Sequence, residues 1–227
     1  MDKEARRIKR TMKAQERRRK LDKDTARPWH SRSYQREFEG FAEREITGPN
    51  GRRKIERVYV GNYYELDAAP GRRRLLKWTH VVFSVAAAVF FALSSTAEAP
   101  CNYSRLVAFF QAVEVLGLVW MLWLSLRNLF TRPRMILRTY RGTSRAILLW
   151  SRITAGAACF NGALSLLFTF LHFEESLGKG LLCVLWHVLS AAMMFLIYTI
   201  EKDQKYRVIE NDTPVTDDMY VIGDTEV

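Results

Sequence analysis

The sequence has few of the residues from which recognisable active sites are usually built. Only three of its 227 residues are cysteines (Cys101, Cys159 and Cys183), and their spacing fits neither a zinc site nor a disulfide framework. It contains no glycine-rich phosphate-binding loop, no His-Glu-x-x-His helix and no nucleophile elbow. These absences argue against the common nucleotide-dependent, metal-dependent and serine-nucleophile enzymes. We therefore expect no catalytic residue, no metal and no cofactor.

Charged residues are scarce in one part of the chain and crowded in another. Residues 1–74 are rich in lysine, arginine, aspartate and glutamate, whereas residues 75–200 are mostly apolar. The first residues contain no apolar run followed by a small-residue cleavage site, so they do not resemble a secretory signal peptide. A chain divided in this way is typical of a soluble arm joined to a membrane-embedded bundle.

Four apolar segments are long enough to cross a bilayer, whose hydrocarbon core needs roughly 20 helical residues. The predicted spans are residues 75–95, 106–126, 153–173 and 180–200. Each is apolar nearly all round, whereas the helices of a soluble bundle carry a polar stripe. We predict an all-α membrane protein, a four-transmembrane-helix bundle with a small N-terminal arm (1–74) and a C-terminal tail (201–227).

The distribution of basic residues predicts the orientation. Of the 35 lysines and arginines, all except Arg105 and Lys179 lie before or at the start of the first span (residues 1–77), between the second and third spans, or after the fourth. Because positive residues accumulate on the cytoplasmic side, both ends of the chain are expected in the cytoplasm. The short external connections favour a bacterial inner membrane.

The cytoplasmic arm contains one turn signal between two β-prone stretches. Residues 1–24 are too polar to fold alone and are expected to form a solvated helix or to be disordered. The run Gly48-Pro49-Asn50-Gly51 predicts a β-hairpin over residues 44–65. A lone hairpin is marginal in water, so it should pack on the bundle, on another subunit or on a partner. The tail is either loose or adds a short strand around Tyr220.

One carboxylate lies deep inside a predicted span. Glu114 is eight positions into the second span, and His187 lies at a matching depth in the fourth. Gln111 and Asn161 complete a predicted intramembrane polar cluster. Such groups relay protons or bind a cation in some proteins, and in others they are interhelical hydrogen bonds that specify packing.

Small residues recur every four positions in two of the spans. They are Ser84, Ala88 and Ala92 in the first span and Thr154, Ala158 and Gly162 in the third. This spacing predicts that both faces pack closely against other helices.

Two of the three cysteines are predicted on the external side. Cys101 lies in the first external connection and Cys183 near the external end of the fourth span. They are either a disulfide or two free thiols, and the spacing does not decide between these alternatives.

A basic cluster flanks the start of the first span. We expect Arg72, Arg73, Arg74 and Lys77 to contact anionic lipid head groups, since the cytoplasmic leaflet attracts such clusters. No fold or stacking surface for nucleic acid accompanies this charge, so no nucleic-acid partner is expected.

Two functional hypotheses follow from this organisation. The first is a non-enzymatic accessory, scaffolding or regulatory subunit, within a homo-oligomer or a larger membrane complex. The alternative is a small oligomeric transporter or channel that uses the Glu114 and His187 cluster.

Overall fold

The computed structural model describes residues 31–47, 52–171, 173–216 and 219–222. The chain forms two compact units, one containing residues 1–61 and 211–227 and the other containing residues 62–210. Most of the described residues (68%) are helical. In chain order, the elements are α1 (Arg32–Glu37), β1 (Phe41–Thr47), β2 (Arg53–Tyr59), β3 (Tyr63–Leu66), α2 (Pro70–Thr96), a 3-10 turn (Pro100–Tyr103), α3 (Arg105–Leu129), β4 (Arg134–Met135), α4 (Leu137–Tyr140), a π-helical turn (Arg141–Arg145), α5 (Ala146–Leu171), α6 (Phe173–Lys202), β5 (Tyr206–Ile209) and β6 (Tyr220–Val221).

The first unit is a three-stranded antiparallel sheet with the short helix α1. Strand β1 lies in the middle, pairing with β2 from Phe41–Tyr59 to Thr47–Arg53 and with β6 on its other side. The predicted hairpin of residues 44–65 therefore differs at both ends, since the paired strands begin at Phe41 and stop at Tyr59. Its predicted turn lies outside the described residues. Of the two alternatives for the tail, the structure shows the added strand.

The second unit contains four helices that are long and apolar enough to span a membrane. They are Pro70–Thr96, Arg105–Leu129, Leu137–Leu171 (which joins α4, the π turn and α5) and Leu177–Lys202. All four helices begin before the predicted spans, and all but the third end beyond them, because polar residues continue a helix outside the apolar window; the third helix ends at Leu171, two residues short of the predicted end. The fourth helix already begins at Phe173, so the whole connection expected at residues 174–179 is helical.

A second small sheet lies at one end of these helices, and the sequence analysis did not predict it. Strand β3 pairs with β4 on one side and with β5 on the other. Strand β3 comes just before α2, β4 just after α3 and β5 just after α6. Because the three strands pair, the start of α2 and the ends of α3 and α6 lie close together. Glu65 in β3 binds Arg73 of α2, and this hydrogen bond lowers the pKa of the Glu65 carboxyl.

The four helices form a ring in which α2 and α5 each pack against both α3 and α6. On α5, the predicted small residues Thr154, Ala158 and Gly162 are all buried. Gly162 lies against α6, because a Cβ atom placed there would be 3.5 Å from the Cβ of His187. Close helix contact at this face agrees with the packing role that small residues have in membrane bundles.

The predicted face of α2 is not the packed one. Ser84 is buried, but Ala88 is half-buried and Ala92 is exposed. The buried face instead passes through Ser84, Ala87 and Ser94. A spacing of four residues advances about 40° further round the helix at each step, because the helix has 3.6 residues per turn. Three residues spaced four apart therefore drift off the buried face of the helix. Residues spaced alternately three and four apart would stay on that face.

Candidate functional site

The carboxylate of Glu114 lies at the centre of a fully buried polar cluster. Asn161 Nδ2 donates a hydrogen bond of 2.6 Å to Glu114 Oε2, and His187 Nδ1 lies 3.1 Å from the same oxygen. Ser190 Oγ donates to Glu114 Oε1 over 3.3 Å. The four side chains come from α3, α5 and α6, and each is 0% exposed. We call Glu114, Asn161, His187 and Ser190 the central cluster.

The helical spacing explains why Glu114 points inward. Gly117, Leu118 and Met121 follow it at intervals of three, four and seven residues, and all four residues are buried. Positions at these intervals share one face of a helix, so Glu114 is buried on the same face as its apolar neighbours.

Gln111 does not join this cluster, contrary to the prediction. Its side-chain nitrogen donates a 2.8 Å hydrogen bond to Asn102 Oδ1. Asn102 in turn donates to the carbonyl oxygens of Ser94 and Ala97 at 2.9 and 2.8 Å, where α2 ends. Gln111 lies in the second turn of α3, so its long side chain reaches the 3-10 turn (Pro100–Tyr103) that precedes this helix. It therefore braces that turn.

Several buried polar atoms near the centre have no hydrogen-bond partner within the described part of the chain. They include Asn161 Oδ1, His187 Nε2 and Thr154 Oγ1. Unpaired buried polar atoms are costly, and they concentrate at sites that bind or exchange something. His187 Nδ1 lies 3.1 Å from Glu114 Oε2 without forming a hydrogen bond, so a small turn of the imidazole would let the two groups share a proton, with Asn161 orienting the carboxyl group. Proton exchange is therefore the chemistry that the central cluster can perform.

The two predicted external cysteines are neighbours in space and are free thiols. The Sγ atoms of Cys101 and Cys183 are 3.6 Å apart, and both side chains are fully buried. Ser94 Oγ lies 3.0 Å from Cys183 Sγ. The hydrogen bond to Cys183, together with burial, raises the pKa of the Cys101 thiol. Protonated, buried thiols react slowly with electrophiles.

A second buried ionisable cluster lies at the opposite end of the bundle, and the sequence analysis missed it. His80 Nε2 lies 3.6 Å from Glu201 Oε2, and Asn128 Nδ2 lies 3.5 Å from His80 Nδ1. Tyr206 donates to Glu201 Oε1 over 2.9 Å, and its hydroxyl oxygen is 2.7 Å from Ser144 Oγ. Burial, followed by the nearby Glu201 carboxylate, raises the pKa of the Tyr206 hydroxyl. We call these five residues the basal cluster.

A sequence signal for the basal cluster did exist. His80 lies inside the first predicted span, and Glu201 comes directly after the fourth. The first predicted span begins and the fourth ends at the same side of the bundle, so both residues lie near that side, although His80 is five residues inside its span and Glu201 one residue beyond. Comparison of depths placed Glu114 beside His187.

A packed apolar layer separates the two polar clusters. Its members come from α3, α5 and α6, and each is at most 2% exposed. They are Leu118, Met121, Leu124, Ile147, Met194 and Ile197. One polar contact accompanies this layer, between Ser84 Oγ and Ser125 Oγ at 2.9 Å.

The basic residues predicted to contact lipid separate into two groups. Arg73, Arg74 and Lys77 line a cavity of about 460 Å³ at the end of the bundle where the second sheet lies. Arg72 is exposed and does not line this cavity. Arg132, which the sequence analysis did not single out, is a fourth basic residue in the lining.

The chain matches no known protein family, no curated protein and no solved structure. The geometry of the chain itself is therefore the basis for the functional proposal.

Proposed function

We propose that the chain is a multi-pass membrane protein with both ends in the cytoplasm, acting as a non-enzymatic accessory, scaffolding or regulatory subunit of a membrane complex. The four long apolar helices support the membrane location. The concentration of lysine and arginine at one side of the bundle supports the orientation. The bundle anchors the protein, and the first unit binds a partner.

The observation that carries this proposal is the small core of the first unit. In its described residues, Ala42 and Ile222 are the buried apolar side chains, each 1% exposed. Buried Glu43 occupies a further interior position, where Arg57 Nε donates to it at 2.8 Å and Tyr34 also binds it. A sheet with so little apolar burial is marginal by itself. Packing on a partner supplies the missing burial.

The outer strand β2 is the surface that we assign to this partner. It forms one edge of the sheet, so its outward backbone groups are available for pairing. Ile55, near its middle, is 50% exposed. An apolar side chain on an edge strand suits addition of a further strand or packing of a helix.

The test is purification of the tagged full-length protein at native expression level in mild detergent, with quantitative identification of co-eluting proteins. We expect a stoichiometric partner for the wild type and at least a tenfold lower recovery with Ile55→Glu. Val215→Glu is the matched control, because Val215 is similarly exposed (53%) but lies outside the strands. Recovery of the protein alone, as a defined oligomer, would refute the accessory role.

The central cluster favours a second candidate, an oligomeric transporter or channel. Glu114 and His187 are fully buried, and unpaired polar atoms lie beside them. Glu114→Gln distinguishes the two functions, because it removes a titratable proton while keeping the shape of the side chain. Partner recovery persists under the accessory role. Proton or cation flux into liposomes, or its pH dependence, collapses under the transport role.

A third result would assign the central cluster to packing. If Glu114→Gln abolishes assembly and the wild type shows no flux, then its hydrogen bonds hold the helices together and transport is refuted.

A further inference from the structure

The cavity beside the start of α2 combines basic, apolar and unpaired polar groups. It lies within the unit of residues 62–210 and has a volume of about 460 Å³. Its walls come from α2, from the end of α3 and the segment that follows it, and from Leu66 of β3 and the residues Gln204 and Tyr206 that follow α6. The residues used below are Arg74, Lys77, Trp78, His80, Phe130, Arg132 and Gln204.

The charge of the cavity is positive and incompletely neutralised. Its lining, in the described part of the chain, contains four lysine and arginine side chains and no carboxylate. Arg73 is paired with Glu65, and Lys77 Nζ donates to the carbonyl oxygen of Thr131 at 2.5 Å. Arg74 and Arg132 are exposed and have no carboxylate partner among the described residues. An anionic group is therefore the natural occupant of this end of the cavity.

Large apolar side chains lie beside the basic residues in the cavity lining. Trp78 and Phe130 are 49% and 83% exposed, so each presents a large aromatic surface beside the arginines. Leu76, Leu129 and Met135 line the cavity around them. A soluble anion would use the arginines and leave these walls uncovered. An amphiphile, which carries its anionic head next to acyl chains, would cover both.

Two buried nitrogen atoms lack partners in the same cavity lining. His80 is only 1% exposed, and its Nε2 atom makes no hydrogen bond in the described part of the chain, although Glu201 Oε2 lies 3.6 Å away. Gln204 Nε2 likewise makes no hydrogen bond within those residues. These atoms are independent of the arginines and are suited to the oxygens of a bound polar head group.

We propose that this cavity is a specific site for an anionic glycerophospholipid of the cytoplasmic leaflet. The phosphate lies between Arg74, Arg132 and Lys77, and the head-group and glycerol oxygens face Gln204 and His80. The acyl chains run along Trp78 and Phe130 into the bilayer. The proposal rests on the proposed membrane location and is independent of the accessory role.

The experiment titrates the full-length protein in mild detergent with dioleoyl phosphatidylglycerol and with dioleoyl phosphatidylcholine, and counts bound lipids by native mass spectrometry. The test variant is Arg74→Gln with Arg132→Gln. The control is Arg72→Gln with Arg152→Gln, which removes the same charge from two exposed residues outside the cavity. Both variants should elute like the wild type, because all four side chains are exposed.

We expect the wild type to prefer phosphatidylglycerol. The cavity variant should bind it roughly 30-fold more weakly, given about fivefold for each arginine near an anionic surface. The control variant should stay within about threefold of the wild type, because diffuse surface attraction is screened.

Three results would overturn the proposal. Equal losses in the two variants would mean that the lipid is held by diffuse charge. Equal binding of both lipids would exclude recognition of the anionic head. Competition by glycerol 3-phosphate or inorganic phosphate at the affinity of the lipid would show a site for a soluble phosphate. Failure of the membrane location would be recognised separately, since the protein would then purify from the soluble fraction without detergent.

Discussion

Three glycines in the long helices differ in the space around the position of a side chain. At Gly156, a Cβ atom would meet nothing within 4 Å. At Gly117, it would lie 2.8 Å from Thr154 Oγ1, closer than real Cβ atoms approach. At Gly180, it would overlap the side chain of Thr169. Alanine substitutions at these positions should therefore change stability in a definite order.

The magnitudes follow from two opposing effects. Alanine in place of glycine favours a helix by roughly 0.5–1 kcal/mol, and Gly156→Ala should gain this amount. Overpacking costs roughly 1–3 kcal/mol, and threonine, being branched at Cβ, yields little. Gly117→Ala should thus lose about 0.5–2 kcal/mol net. Gly180→Ala should lose more, because its Cβ would overlap several atoms.

The assay is the free energy of unfolding in mixed micelles of mild and denaturing detergent. A second variant tests the cause, because Thr154→Ala removes the group that Gly117→Ala would strike. In that background, Gly117→Ala should lose most of its cost. The reasoning is refuted if Gly117→Ala is as stable as Gly156→Ala, or if Thr154→Ala gives no rescue.

Three further predictions concern particular contacts. Because the pKa of Glu65 is lower in the folded protein, its ion pair with Arg73 stabilises the fold fully above the unfolded-state pKa of about 4.3. This stabilisation is lost as the pH falls through the lower, folded-state pKa. The Tm difference between wild type and Glu65→Gln should therefore be constant near neutral pH and vanish in acid; a constant difference would contradict this. Mild oxidation should join Cys101 to Cys183, seen by mass spectrometry of peptides, while in the reduced native protein both buried thiols resist maleimide; rapid labelling of either would contradict their burial. Glu114→Leu should cost about 1–3 kcal/mol because Asn161 and Ser190 both lose an acceptor in the buried interior. In a double-mutant cycle with Asn161→Leu, the two costs should not add; additive costs would refute the hydrogen bond.

The helical spans were predictable because their signal is local. A helix surrounded by lipid is apolar on every side, so composition over about 20 residues identifies it. The helix ends were less accurate, although one signal for them was present. Pro70 is the first residue of α2, the position at which proline is favoured because its missing N–H is not needed. The sequence analysis placed it in the preceding arm.

The second sheet was not predictable by the same means. Its strands are Tyr63–Leu66, Arg134–Met135 and Tyr206–Ile209, which lie far apart in the chain. A strand of two residues carries no periodicity, and even four residues give little. These strands pair because three helix ends meet at one end of the bundle. Their pairing is thus a consequence of tertiary packing, which local patterns do not contain.

The candidate site shows the same division between local and spatial information. Matching the depths of ionisable residues in two helices placed Glu114 beside His187, whereas His80 lies five residues inside its predicted span and Glu201 one residue beyond its own, so their predicted depths differ. That second pair escaped because Glu201 falls one residue outside the apolar window and was assigned to the tail. A predicted span that stops at the last apolar residue excludes ionisable residues just beyond it. Some of these residues, such as Glu201, are buried by helix packing at the end of the bundle. In a membrane bundle, the first polar residues beyond each span therefore belong in the search for buried pairs.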